Sequence, residues 1–409
     1  MDCTAHLYPR LPIELLDRTV DYLHDDPDTL WSCTSVSHVF LRSARCQLFH
    51  TLSIANDPSC AHGGYAPFLC FLERTPEICA YIHQVKFVRY PASDEQPLPV
   101  PELCLHILSE ILSYLPRLHT LILSKDIHIV CHCQPRALPL PLHHQNDSES
   151  DFGSSQLKLK ALSVDGVRVA TSEHWNTFLS LFSAIHNFSV SDLCILHGPR
   201  EGRSGSASIT ETGADVEALT KIGTKLVLKS MAFGFDHDKQ VEMFGVLLSG
   251  SAAYLENLTL RFPAHPYSSV RPEDWRHLQL SSLEQLKALT FIETPPLPAK
   301  GEALDVFSGE ANRTVCDAIK ALLSLAPPSL ERLHFRFRLR AFGTGSAGQL
   351  MDNFGWDELE EAARRCERVQ RVVFELQGRP EGDAYLQCAI EGRVAVLCAR
   401  GLLQIDFEK

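Results

Sequence analysis

LENLTL (255–260), LKALTF (286–291) and LERLHF (330–335) each carry apolar residues at their first, fourth and sixth positions. The same spacing recurs in FHTLSI (49), IHQVKF (82), LHTLIL (118), LKALSV (159), IHNFSV (185), LKSMAF (228), VQRVVF (369) and LLQIDF (402). At this composition three chosen positions are all apolar in roughly one window in eleven, so the spacing alone says little. Its context says more. Helix-like stretches precede most copies: Pro101 to Leu115 before 118, Glu173 to Ser183 before 185, and Gln240 to Leu248 before 255. Val315 to Leu325, Trp356 to Arg365 and Tyr385 to Arg400 stand likewise before 330, 369 and 402. One helix and one strand in every 26 to 44 residues predicts an α/β solenoid of stacked units with parallel strands.

The pattern resembles an irregular leucine-rich repeat array. A regular repeat places Asn or Cys three positions past the sixth, where the side chain satisfies turn backbone groups. The corresponding places here hold Asp126, Val167, Leu193 and Asp236, so the resemblance implies uneven repeats without an asparagine ladder. Four stretches rich in Pro, Gly, Ser and charge, at 90–101, 134–156, 197–214 and 293–312, read as loops or local disorder interrupting the array.

The chain has 409 residues, of which 45% are hydrophobic and 22% charged, which is ample material for a core. Its formal charge of -12 argues against general attraction to nucleic acid or anionic membranes and favours protein partners. No run of 18 apolar residues and no signal-type N-terminus is present, so the chain is expected to be intracellular, in cytoplasm or nucleus. On that reading the 14 cysteines, among them Cys33, Cys70, Cys104, Cys194 and Cys398, are reduced core residues rather than a disulfide framework.

Residues 11–54, LPIELLDRTVDYLHDDPDTLWSCTSVSHVFLRSARCQLFHTLSI, fit three short helices. Pro12 suits a first helical turn, and Ile13, Leu16, Val20 and Leu23 then share one face while Leu15 and Tyr22 point elsewhere. His24 to Pro27 is a predicted turn, with Asp28 capping a second helix that carries Leu30, Cys33 and Val36. Ser37 is placed to cap a third, on which Phe40, Ala44 and Leu48 form an apolar stripe. Such a bundle has more apolar faces than its core needs. The surplus either meets a partner or packs against the first repeats.

Residues suited to chemistry are sparse. His128, Cys131, His132 and Cys133, with His143 and His144 beyond, include zinc-type ligands, but the second pair is two adjacent histidines that point apart in an extended loop. Gly343, Gly345 and Gly348 spell G-x-G-x-x-G without the helix that must follow directly, so no metal, cofactor or catalytic residue is assigned and no enzyme is expected. Alternation in the segment from Arg332 puts Leu333, Phe335, Phe337 and Leu339 on one face and arginines on the other. Arg336, Arg338 and Arg340 are therefore a candidate substrate-contact strip for an acidic or phosphorylated segment, or else a solvated strand face.

In order and spacing, LPIELL, Leu23, the series Leu30, Cys33, Val36, Ser37, Phe40, and the closing LFHTLSI are similar to the F-box family, with Phe40 where that family often has tryptophan. The DDPDTL turn and loose repeats look like fungal members. The resemblance implies an F-box at 8–50, a leucine-rich-repeat-like substrate-recognition domain at 51–409, and docking on the Skp adaptor of a cullin ubiquitin ligase. It makes Leu11, Pro12, Leu15, Leu16, Val20, Leu30, Val36 and Phe40 candidate adaptor-binding or motif-core residues, without deciding which are which. It also implies a protein substrate that the sequence does not identify. The alternative is a repeat scaffold outside the ubiquitin pathway, its N-terminus a helical cap.

Overall fold

The structure is a computed structural model that describes residues 12–56, 65–89, 100–131, 157–195, 226–234, 238–263, 270–271, 273–294, 308–338, 352–377 and 383–408. It is a mixed α/β protein in which helices accompany strands paired in parallel, and it divides into two compact units, Met1–Ser155 and Gln156–Lys409. The predicted loops at 134–156 and 197–214 lie outside the described residues, as do most of those at 90–101 and 293–312.

The first unit begins with helices α1 (Ile13–Asp21), α2 (Pro27–Val36) and α3 (His38–His50). Their own core is Val20, Leu30 and Ala44, against which Leu23, Cys33, Phe40 and Leu48 pack. Ile13, expected on the inner face, is exposed at the start of α1, beyond reach of that cluster. The α2 cap is Asp26 rather than Asp28: its carboxylate accepts the Thr29 N–H at 3.0 Å and the Thr29 hydroxyl at 2.6 Å. Pro27 explains the difference, because a residue without an N–H fits the first helical position and makes its predecessor the cap. These hydrogen bonds hold the Asp26 carboxyl below its ordinary value. Ser37 caps α3 as expected, accepting the Val39 N–H at 3.1 Å. Between α1 and α3, Ser43 donates to the Asp17 carboxylate and Gln47 donates to Asp21 at 2.6 Å.

Strands β1 (Thr51–Asn56), β2 (Gln84–Arg89) and β4 (Thr120–Leu123) pair in parallel, so Leu52, Val85 and Leu121 stand in one row and Ile54, Phe87 and Leu123 in the next. The short strands β3 (Glu102–Cys104) and β5 (His128–Val130) pair separately. Here the predicted helix from Pro101 is corrected: Glu102–Cys104 is strand and the helix is Leu105–Ser113. The Pro101 carbonyl accepts the His128 N–H at 2.8 Å, a tertiary pairing that overrides local preference.

In the second unit β6 (Leu157–Asp165), β8 (Phe182–Ser191), β10 (Ser230–Gly234), β11 (Asn257–Pro263), β12 (Ala288–Thr294), β13 (Arg332–Arg338), β14 (Arg371–Gln377) and β15 (Leu403–Glu408) follow one another in parallel. Fourth-position residues Leu162, Phe188, Met231, Leu258, Leu289, Leu333 and Val372 align as the spacing predicts. The last segment is displaced: Val372 meets Leu403, not Ile405. Alternation has period two, so a slip of two leaves the same side chains on the same face and is invisible to the pattern.

Sixth-position residues stack into an aromatic ladder. Phe335 lies 5.2 Å from Phe291 and 4.9 Å from Phe374, ring centre to ring centre. Helices cover this side: Phe244 stacks on Phe233 at 4.7 Å, and Trp356 lies 5.7 Å from Phe374. After β4, β6 and β8 the chain turns through left-handed Asp126 (φ 64°), Gly166 (φ 61°) and Asp192 (φ 51°), residues that tolerate this conformation. Val167 and Leu193, which occupy the asparagine places, are buried beside short strands β7 (Arg168–Val169) and β9 (Cys194–Ile195).

The cysteine expectation is partly corrected. Cys79, Cys316 and Cys366 are buried, whereas Cys70, Cys194 and Cys398 are exposed free thiols. Cys70 sits between Leu69 and Phe71 on a helix, where successive side chains diverge and apolar neighbours do not ensure burial. No helix among the described residues is long and apolar enough to cross a membrane.

Candidate binding surfaces

The three N-terminal helices bury little and expose much. Of the eight large hydrophobic side chains that are exposed among the described residues, six lie here: Ile13, Leu15, Tyr22, Trp31, Val36 and Val39. Leu15 on α1 and Tyr22 at its C-cap, whose backbone is still helical, are seven residues apart, hence on one face. Trp31, 55% exposed, meets Phe49 in a T-shaped contact with ring centres 6.0 Å apart, and Val36 is 73% exposed. The structure thus separates the predicted set. Val20 and Leu30 are core, Phe40 packs on that core, Leu16 is half-buried, and Pro12, Leu15 and Val36 face solvent. Leu11 lies outside the described residues.

On the second unit, the sheet face away from the helix-covered ladder changes character along its rows. The third position holds Ala161, Asn187, Ser230, Asn257 and Ala288, and then Arg332 and Arg371. The fifth holds Ser163, Ser189, Ala232, Thr259 and Thr290, and then His334. At the third position small uncharged side chains give way to arginines at β13.

The centre of the charged part is Glu375. Its carboxylate is 8% exposed and lies 2.7 Å from Arg336 Nε and 3.0 Å from His334 Nε2, and it accepts a hydrogen bond from Gln377 Nε2 at 2.9 Å. Burial pushes the Glu375 carboxyl up, but the contacts from Arg336 and Gln377 and the charges of Arg336 and His334 together hold it below the usual glutamate range. The carboxylate therefore contributes stability above the ordinary glutamate pKa, and the contribution is lost as pH falls through its own lower value. Glu375→Gln is expected to cost about 1.5–3 kcal/mol near neutral pH, with the difference from the parent shrinking as pH falls below the ordinary glutamate pKa, as read by urea unfolding across pH. A difference that persists unchanged at acid pH would show that the carboxylate charge is not its source.

The predicted arginine strip is consequently reassigned. Arg336 does face away from the buried ladder, but Glu375 on the neighbouring strand holds it. Arg338 is in β13 with its side chain outside the described residues, as is all of Arg340. Arg371, which shares the third position with Arg332, was not among the predicted residues. Its signal was present in the aligned segments LERLHF and VQRVVF, whose third residue is Arg in both.

Of the predicted histidine and cysteine cluster, His128 is on β5 and Cys131 follows it, while His132, Cys133, His143 and His144 lie outside the described residues, as do Gly343, Gly345 and Gly348. Among the described residues no three His, Cys, Asp or Glu side chains are arranged to hold a metal. A row of His50, His83 and His119 stands at the second position of the first three segments, with ring centres 4.9 and 5.1 Å apart. No family model matches the chain, and no curated protein matches its sequence.

Proposed function

We propose that the chain is the substrate-receptor subunit of a Skp–cullin–F-box ubiquitin ligase. In this reading α1–α3 are an F-box that docks on the Skp adaptor, and the strand-rich remainder is an irregular leucine-rich-repeat-like solenoid that holds a target protein. The supporting observation is the concentration of exposed apolar side chains on three helices whose own core is Val20, Leu30 and Ala44. Burying such side chains in a partner supplies association free energy at roughly 25 cal/mol per Å², less the cost of ordering. The receptor acts without catalytic residues of its own, by raising the concentration of target lysines near a ubiquitin-charged enzyme carried elsewhere in the complex. It acts in cytoplasm or nucleus.

The test is co-purification of the full-length chain with the Skp adaptor. Leu15→Asp combined with Val36→Asp is expected to abolish it while leaving the thermal melt unchanged, because both side chains face solvent. Leu16 is left intact, since it is half-buried and its loss would perturb the bundle. Failure of the parent chain to bind the adaptor, or undiminished binding by the double variant, overturns the reading in favour of an interaction scaffold outside the ubiquitin pathway.

A further inference from the structure

The exposed face of β12–β15 opens into a cleft of about 300 Å³ whose lining includes Thr290, Arg332, His334, Arg371, Glu375 and Asp406. Arg332 and Arg371 are register partners across β13 and β14. Neighbouring strands lie about 4.8 Å apart, so two exposed guanidinium side chains start side by side, an arrangement that destabilises a sheet when nothing balances it. Among the described residues neither forms an ion pair. The acids of the cleft are engaged elsewhere: Glu375 with Arg336 and His334, and Asp406 as acceptor from Gln404 at 2.8 and 2.9 Å. Among the described residues the Arg371 side chain donates to the neutral Gln404 amide oxygen, from Nε at 2.8 Å.

We propose that this cleft binds a carboxylate side chain from an acidic, unphosphorylated segment of the target protein, clamped between Arg332 and Arg371. The proposal rests on the reading of the second unit as the target-binding body. Paired planar guanidinium groups match a carboxylate's two oxygens, and charge-assisted hydrogen bonds of this kind are the stronger ones. The charge of the cleft selects carboxylate over phosphate. With Glu375 paired to Arg336, the two arginines of the cleft outnumber its remaining acid, Asp406, by one, which a single carboxylate balances, whereas a phosphate dianion overshoots and is repelled by Asp406.

The probe is fluorescein-labelled octaglutamate, titrated with the full-length protein at about 50 mM salt and read by anisotropy, against octaglutamine and an octapeptide of alternating glycine and phosphoserine. The formal charge of -12 repels a polyanion from the molecule as a whole, so binding reports a local site. Octaglutamate is expected to bind and octaglutamine not. Arg332→Gln and Arg371→Gln should each weaken binding about tenfold and the double variant further, while Arg364→Gln on the helix Trp356–Arg365 leaves it unchanged. Both cleft arginines are exposed and like-charged neighbours, so the melts of the variants should fall no lower than the parent's. No octaglutamate binding by the parent, equal binding by the double variant, or phosphoserine binding more than about tenfold tighter than glutamate overturns the proposal. Adaptor co-purification, read on the same proteins, depends on α1–α3 alone. A failed octaglutamate titration with adaptor binding intact therefore strikes the cleft and not the ligase reading, and the converse strikes the ligase reading alone.

Discussion

Phe335→Ala is expected to lower the free energy of unfolding by about 3–5 kcal/mol, measured by urea or guanidinium denaturation. Phe335 is fully buried, stacked between Phe291 and Phe374, with Phe354 meeting its ring edge at 5.3 Å. Removing the ring leaves a hole bounded by three other rings. Collapse into it is opposed because β12 and β14 are both fixed by pairing with β13, so their spacing follows backbone hydrogen bonds and not side-chain size. Phe335→Leu retains most of the volume and should cost about half as much or less. A loss below about 1 kcal/mol for the alanine variant would show that the ladder yields to fill the space.

The second large effect is expected at Gly245, on the helix Asp238–Ser251. A Cβ there would stand 2.2 Å from the carbonyl oxygen of His277 and 2.9 Å from its carbonyl carbon. Both are backbone atoms of the 3-10 helix Asp274–Leu278, which is anchored by buried Trp275 and Leu278, so no side-chain rotation relieves the clash. Gly245→Ala should cost about 1–3 kcal/mol or more, although alanine is the better helix former by about 1 kcal/mol. Gly392 supplies the control: it lies on the helix Asp383–Arg393 with nothing within 4 Å of an added Cβ. Gly392→Ala should raise stability by up to about 1 kcal/mol. Melting curves for the two variants moving in the same direction would contradict the close approach at Gly245.

Each of the eleven segments carries a strand, most of them from its third residue, and this was legible because alternation and a preceding helix are local properties. Features that depend on a neighbour were not. The two-residue displacement of β15 is set by its pairing with β14, and the strand at Glu102–Cys104 by its pairing with β5. The arginine strip shows the same limit at the site. Alternation along β13 correctly put Arg332 and Arg336 away from Leu333 and Phe335, but only the register with β14 reveals that Glu375 claims one and Arg371 flanks the other. On the N-terminal helices the surplus of apolar faces was readable from spacing, whereas the division into core Val20 and Leu30 and exposed Leu15 and Val36 required the helices to be packed.

The core of α1–α3 is fully buried only at Val20, Leu30 and Ala44, and the last of these offers a single methyl group. So small a cluster leaves the bundle little cohesion of its own, and its amide hydrogens should exchange sooner than those of the ladder around Phe335. Any protein that covers Leu15, Trp31 and Val36 then does two things in one step. It gains contacts, and it shifts the bundle away from its opened forms, so that grip and local melting become a single equilibrium. Substitutions inside the bundle that touch no partner atom would still appear as changes in affinity, because the binding-competent fraction is itself part of the constant that is measured.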